Sequence, residues 1–220
     1  MQNIKKALVI GATGLVGKAL VMDLLDDPHI ERVGVFVRRS MNMKHPKLDE
    51  HLIDFDHPES WSDLVRGDVL FSALGTTLKK AGSKQKQYTI DYTYQYSFAR
   101  AAAQQGVAQY ILVSSSGANE KSMIFYSRMK GELERDIKKL PFSSTVILQP
   151  SLLIGPREEE RAGEKAGYKV LKFLNAAGLF KKYRPIEGYQ VARAMKLAAL
   201  DPRPGIRVYT LDEIFRLAGD

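Results

Sequence analysis

The stretch "GATGLVG", Gly11 to Gly17, directly follows the β-rich run "KALVI" and opens into "LVGKALVMDLLDD", whose apolar residues recur at helical spacing. A strand, a glycine turn and a helix in that order mark the first unit of an α/β sheet. Gly11 permits the tight turn, Gly14 lets backbone approach a pyrophosphate, and Gly17 allows the helix to lie close to the strand. The helix start adds free N–H groups and a partial positive charge. The glycine spacing is GxxGxxG, which differs from the common GxGxxG pattern. The whole turn is therefore the candidate dinucleotide cradle: Gly11, Ala12, Thr13, Gly14, Leu15, Val16 and Gly17.

Further strands follow in "RVGVFVRR", "HLIDF", "DVLFSALG", "YILVSSSG" and "STVILQPS", with "RVYTL" as a seventh candidate. Helical segments separate several of them, notably "YTIDYTYQYSFARAAAQQG" and "YSRMKGELERDIKKL". Strands apolar on both sides, alternating with helices, predict a Rossmann-type doubly wound, mainly parallel sheet in three α/β/α layers. The length of 220 residues suits one domain, 1–220. Residues 155–188 are the least regular and read as a small C-terminal segment covering the substrate side. In such a sheet ligands bind beyond the carboxyl ends of the strands, so functional residues should stand immediately after strands.

Composition closes off other chemistry. The chain has no cysteine, which removes disulfides, thiolate nucleophiles and Cys-ligated metals. His45, His51 and His57 are close in sequence but lack a ligand pattern, so no metal site is expected. No apolar run approaches the roughly 18–20 residues that cross a bilayer. No cleavage site follows the N-terminal lysines, so the reading is cytoplasmic, without membrane contact. The net charge of +8 reads as a solvated basic surface. Its lysine clusters sit in no helix-turn-helix or RNA-binding signature, which argues against nucleic acid as a partner.

The end of the second strand bears on the cofactor. An NAD-preferring site carries an acid there, whereas this chain has Arg38 and Arg39. Guanidinium groups can grip a 2′-phosphate bidentately, so NADP is expected ahead of NAD; the other reading is an exposed basic strand end. Asp54, ending the third strand with Phe55 beside it, is either a turn cap or, by resemblance to dinucleotide-binding chains that place an acid there, an acceptor for the adenine amino group. After the fourth strand, Ala73, Leu74 and Gly75 offer a backbone surface to the cofactor ribose, with Thr76 and Thr77 less defined.

Tyr126 and Lys130 stand four apart in a predicted helix and so share a face. A phenol near pKa 10 is a poor base at neutral pH. A neighbouring ammonium and an oxidised nicotinamide both favour its ionised form. A second such pair, Tyr168 and Lys172, lies beyond the sixth strand in the irregular region and reads as accidental. Ser116, with Ser115 as second choice, would hydrogen-bond the substrate oxygen. The predicted chemistry is carbonyl reduction or its reverse, with Tyr126 as proton donor or acceptor. The alternatives are a protein that binds NADP and a partner without turnover, as a redox sensor or regulator, and, more distantly, a nucleic-acid-associated protein.

Taken together, "GATGLVG", "RR" after the second strand, "ALGTT" followed by "KAGS", "SSSGAN", "YSRMKGELE" and "QPSLLIGPREEER" resemble an atypical short-chain dehydrogenase/reductase. Within that superfamily the chain is similar to the small oxidoreductases related to the HIV Tat-interacting protein. The resemblance spans residues 8 to about 161 and is weaker over "RPIEGYQVARAM". It implies NADP binding, Tyr126 at the proton transfer, Lys130 on the cofactor, and Leu152, Leu153 and Arg157 near the nicotinamide end. Two departures stand out. Asp91 occupies the neighbourhood where many such reductases keep an asparagine, and the interval from Ser116 to Tyr126 is short.

Tyr88, Tyr92 and Tyr96 form a stripe on one helix, which is either packing or a homodimer contact. The substrate is a small molecule of unread identity. Arg157 and Arg161 either bind an acidic group on it or pair with Glu158, Glu159 and Glu160.

Overall fold

Alternation along each strand decides the layers. The computed structural model describes residues 3–155 and 184–219. Its strands are β1 (Ile4–Ile10), β2 (Ile30–Val37), β3 (Leu48–Leu52), β4 (Val69–Ser72), β5 (Gln109–Val113), β6 (Ser144–Gln149), β7 (Leu153–Ile154), β8 (Ile186–Glu187) and β9 (Gly205–Thr210). Seven form one sheet in the order β3-β2-β1-β4-β5-β6-β9, with every neighbouring pair parallel. The short β7 and β8 pair separately, Leu153 opposite Ile186 and Ile154 opposite Glu187.

The helices are α1 (Leu15–Leu25), α2 (Leu78–Ala81), α3 (Lys84–Tyr88), α4 (Gln95–Gln104), α5 (Phe125–Ile137), α6 (Gly188–Leu200) and α7 (Asp212–Ala218). A π-helical stretch, Thr89–Tyr94, joins α3 to α4 without a break. Ala7 and Val9 of β1 join one core with Val33, Val35, Val69, Phe71, Ile111 and Val146, covered by α1, α6 and α7. Leu8 and Ile10 face the opposite core with Phe36, Leu70, Leu112 and Ile147, covered by α4 and α5. Burying both faces this way is what makes an all-parallel sheet stable, at about 1.5–3 kcal/mol for each large side chain.

The predicted fold class holds, and the differences are local. The third strand runs from Leu48 to Leu52 and does not include Asp54. Asp54 accepts the Asp56 N–H at 3.0 Å, and its carbonyl accepts the Trp61 indole N–H at 2.9 Å. That turn pulls the chain out of the sheet. The β7–β8 pair and α7 have no counterpart in the sequence reading. The irregular segment 155–188 is described only at its ends, so Arg157, Glu158, Glu159, Glu160, Arg161, Tyr168 and Lys172 lie outside the described residues.

β1 pairs with β2 on one side and β4 on the other, so strand order reverses between β1 and β4. The crevice above their carboxyl ends is the expected ligand position. The glycine turn and the "SALG" segment both emerge there.

Candidate active site

The glycine turn is held by contacts that exclude side chains. Gly11 has φ +81°, and a Cβ on it would stand 2.4 Å from the Ala73 carbonyl carbon and from the Leu74 nitrogen. A Cβ on Gly17 would lie 2.1 Å from the Gly11 carbonyl oxygen. The chain leaving β4 thus presses on the turn, and α1 is drawn in underneath. Ala12 and Val16 are buried while Thr13 and Gly14 face solvent, and Leu15 is partly covered. Gly14 caps α1 with no side-chain hydrogen bond and no acid in the first turn. That leaves the first N–H groups and the positive helix end to an anion. Leu15 packs against Gly155 and Gly188, where Cβ atoms would reach it at 2.9 and 2.6 Å. Leu153, on β7, packs against the α1-side core.

Arg38 and Arg39 are exposed just past β2, and neither guanidinium has an ion-pair partner among the described residues. Phe55 is buried and its ring packs on Tyr94 and Phe98. Its side chain is therefore core, with only its backbone left to line the crevice. Asp54 is exposed and already bonded within its turn. Tyr94, absent from the sequence reading, donates to Asp56 Oδ1 at 2.6 Å. Burial and that carboxylate push its phenol up to about 12.

Tyr126 lies in the first turn of α5 and is 38% exposed. Lys130, one turn on, is buried; its Nζ lies 5.9 Å from the Tyr126 ring centroid and 3.1 Å from Asp91 Oδ1. Burial works to lower the ammonium's pKa, but the Asp91 charge, aided by Tyr126, more than offsets this, and the net shift is upward. Lys130 is thus held protonated beneath an exposed phenol.

Ser115 and Ser116 follow β5 and are partly covered. The Ser116 N–H donates to the Pro150 carbonyl at 2.9 Å, which ties the exits of β5 and β6 together. Among the described residues, the contact of Ser115 Oγ is a 3.4 Å one, to the Ser116 carbonyl. Ser114 is instead buried and donates to Glu134 Oε1 at 2.5 Å. The short interval before Tyr126 has a physical basis. The Asn119 N–H donates to the Ser127 carbonyl at 2.9 Å, and a Cβ on Gly131 would fall 2.2 Å from the Glu120 nitrogen. The serine loop therefore lies directly on α5, and Gly131 is the position that admits it. A lone glycine within a helical pattern was the available signal.

The Tyr88, Tyr92 and Tyr96 rings stack in sequence. Tyr88 donates to Glu132 at 3.0 Å and Tyr92 to Asp136 at 2.8 Å, both on α5. Burial and Glu132 push the Tyr88 phenol up to about 12, and burial and Asp136 raise Tyr92 as well. The Tyr88 and Tyr92 phenols stay protonated and join α3 and the π stretch to α5. Among the described residues no His/Asp/Glu group is arranged to hold a metal ion, and no helix is long and apolar enough to cross a membrane.

A family model described as NAD(P)H-binding matches residues 11–170. The Candida albicans protein named "Protein FMP52, mitochondrial" is 34% identical, over 96% of this chain and 94% of its own length. The Aspergillus fumigatus protein fmp52, also named mitochondrial, is 39% identical over 72% of this chain and 70% of its own. Those names overturn the expected cytoplasmic location. The chain is also similar in fold to MoeE5 in complex with UDP-glucose and NAD, with a TM-score of 0.71 and 17% identity, over 97% of this chain and 81% of that one. A short-chain dehydrogenase/reductase superfamily protein from Agrobacterium tumefaciens with bound NAD gives a TM-score of 0.70 at 16% identity, over 94% of this chain and 77% of that one.

Proposed function

Because the chain belongs to the NAD(P)H-binding family, and groups within it with the FMP52 proteins, we propose that it is an NADP-dependent oxidoreductase acting on a carbonyl or hydroxyl group of a small molecule. The observation that carries this reading is the exposed Tyr126 phenol above a buried, protonated Lys130. The residues present fit a dinucleotide: a glycine turn drawn tight against the backbone of Ala73 and Leu74, with Thr13 and Gly14 left exposed, and a helix start with no side-chain cap of its own. Gly11 to Gly17 would hold the diphosphate, and Ala73, Leu74 and Gly75 would flank the ribose. Arg38 and Arg39 would take the 2′-phosphate that separates NADP from NAD. When bound, the dinucleotide supplies or accepts the hydride.

The chain's own residues handle the proton. Tyr126 gives its phenolic proton to the substrate oxygen during reduction and takes it back during oxidation. Ser116, backed by Ser115, hydrogen-bonds that oxygen and fixes its direction. Lys130 stabilises the phenolate formed in between, and would also bond the cofactor ribose. The narrower likeness to the HIV Tat-interacting-protein group belongs to this proposal and rests on "ALGTT", "SSSGAN" and "YSRMKGELE". Pairing of two copies through the α4/α5 face is part of the same reading.

The test follows NADPH absorbance across a broad panel of aldehydes and ketones, with Tyr126→Phe as control. The expected result is turnover that falls by about 10²–10⁴-fold in the variant, with NADPH affinity unchanged. Tight NADPH binding with no turnover on any substrate would favour a redox-sensing protein instead.

A further inference from the structure

The loop that leads into α5 holds large apolar side chains out in water. Met123 is 93% exposed and Ile124 67%, and Phe125 and Tyr126 after them are partly uncovered. The loop is tied in place. The Ser122 N–H donates to the Asn119 carbonyl at 2.9 Å, Arg128 Nη1 to the Ser122 carbonyl at 3.1 Å, and the Ile124 N–H to Ser122 Oγ at 3.1 Å. Two large side chains fixed in solvent forgo the burial that would stabilise them, which marks a surface that something apolar covers. α3 lies alongside: Tyr88 reaches Glu132, and one turn earlier Lys84 Nζ stands 5.7 Å from the Phe125 ring centroid. The start of α3 therefore sits at the Met123 end of α5. From Leu78 to Tyr88, across α2 and α3, the chain reads "LKKAGSKQKQY", with exposed Lys79, Lys80, Lys84 and Lys86 and no acid. Lys121, also exposed, stands two residues before Met123. The acids closest in sequence on either side of the loop are engaged: Glu120 pairs with Arg135 at 3.2 Å, and Glu132 accepts from Tyr88 and lies 3.9 Å from Arg128.

We propose that this tip docks on an anionic phospholipid bilayer: Met123 and Ile124 enter the acyl boundary while Lys121 and the lysines of α2 and α3 lie among the headgroups. Shape and charge together select that occupant. A second copy of the chain would bring like charges together, and a nucleic acid offers no apolar layer to receive the two side chains. The expectation of no membrane contact rested on the lack of a spanning segment, and a surface contact needs none. Tyr126, two residues past Ile124, adjoins the tip and is brought to the lipid surface with it. The docking draws only on exposure and charge, so it stands whether or not Tyr126 is an acid–base group.

The test is co-sedimentation of the full chain with large unilamellar vesicles of phosphatidylcholine, with or without about one part in three of phosphatidylglycerol. Binding is expected on the anionic vesicles, weak on phosphatidylcholine alone, and lost at about 0.5 M salt. Met123→Ser with Ile124→Ser should cut lipid affinity by about 10–100-fold. Lys79→Gln, Lys84→Gln and Lys86→Gln combined should cut it by about 100-fold, or about fivefold for each charge. Leu64→Ser, at an exposed apolar residue of another segment, should leave it unchanged. All of these side chains are exposed, so melting temperatures should stay near wild type. Met123→Trp reads insertion directly: the native Trp61 is buried, and the emission of the variant should shift to the blue on anionic vesicles only. No binding to anionic vesicles overturns the proposal and leaves an acidic protein as the partner. Equal binding to both vesicle types, binding that the Met123 and Ile124 changes do not affect, or an unshifted emission also overturns it. So does a lipid-free wild type that sediments as a dimer and becomes a monomer in Met123→Ser with Ile124→Ser, because the tip is then an interface between copies.

Discussion

The two ends of the crevice are built on opposite principles. The end proposed for the dinucleotide is made of backbone and of places where side chains cannot be: Gly11 against Ala73 and Leu74, and Gly17 against Gly11. The end proposed for proton transfer is made of side chains from three elements. Asp91 comes from the π turn, Tyr126 and Lys130 from α5, and the serines from the exit of β5. A site built by exclusion fails when anything is added, and takes the fold with it. A site built from buried charges can lose one and keep its shape while its chemistry changes.

The largest effect should therefore come at the glycine turn. Gly11→Ala would put a Cβ 2.4 Å from rigid backbone, at a φ of +81° that side chains rarely adopt. A loss of about 3–5 kcal/mol in stability is expected, together with NADP affinity too weak for calorimetry to detect. A denaturation midpoint and a dissociation constant both close to wild type would break the comparison at its root.

Next in size is the exposed pair beyond β2, where the proposed dinucleotide end would rely on side chains. Arg38→Ala with Arg39→Ala should cut NADP affinity by about 10–100-fold, the worth of losing charge-assisted hydrogen bonds to a phosphate. NAD affinity and the melting temperature should stay near wild type, since both residues are solvent-exposed. This result would sharpen the comparison by separating selectivity from cradle. If both dinucleotides weaken equally, or neither does, the pair is only a solvated strand end.

The same contrast explains what the sequence revealed. Glycines forced by close backbone approach leave a local trace, and β1, the turn and α1 are readable between Ile4 and Leu25. Strands buried on both faces are equally plain, because alternate residues of β1, β2 and β5 are apolar whichever core they enter. The Tyr126–Lys130 pairing is visible because both residues share one helix. Asp91 is separated from Lys130 by 39 positions and stands out in the sequence only as a departure from an expected asparagine. Its place beside Lys130 depends on a π turn that no spacing announces. The place of the Phe55 ring was illegible for a related reason: beyond the end of β3 the chain turns, and the ring enters the core beside Phe98. Gly131 was legible as an isolated helical glycine, but what it admits, the serine loop at Asn119 and Glu120, was not.

The smallest effect should lie in the last turn of α5, at the carboxylate that binds Tyr92. Asp136 accepts from Arg135 Nη2 at 2.7 Å, Lys139 Nζ at 2.7 Å and the Tyr92 hydroxyl at 2.8 Å. The Arg135 bond first, then Lys139 and Tyr92, outweigh burial and hold the carboxyl well below the usual carboxylate range. A carboxylate whose folded pKa is depressed contributes stability that is complete above its unfolded value, near 4, and disappears as pH falls toward the folded value. Both cationic partners are substantially exposed, so solvent weakens their pull. Asp136→Asn should accordingly cost about 1 kcal/mol at pH 7. Urea midpoints of the two proteins should converge as pH is lowered from about 5 to about 2, while NADP affinity at pH 7 stays unchanged. A gap that is constant with pH would mean that the lost contribution is packing against Tyr92, with no part played by charge. A gap that carries NADP affinity down with it would show that the two ends of the crevice are coupled through α5, contrary to the division drawn between them.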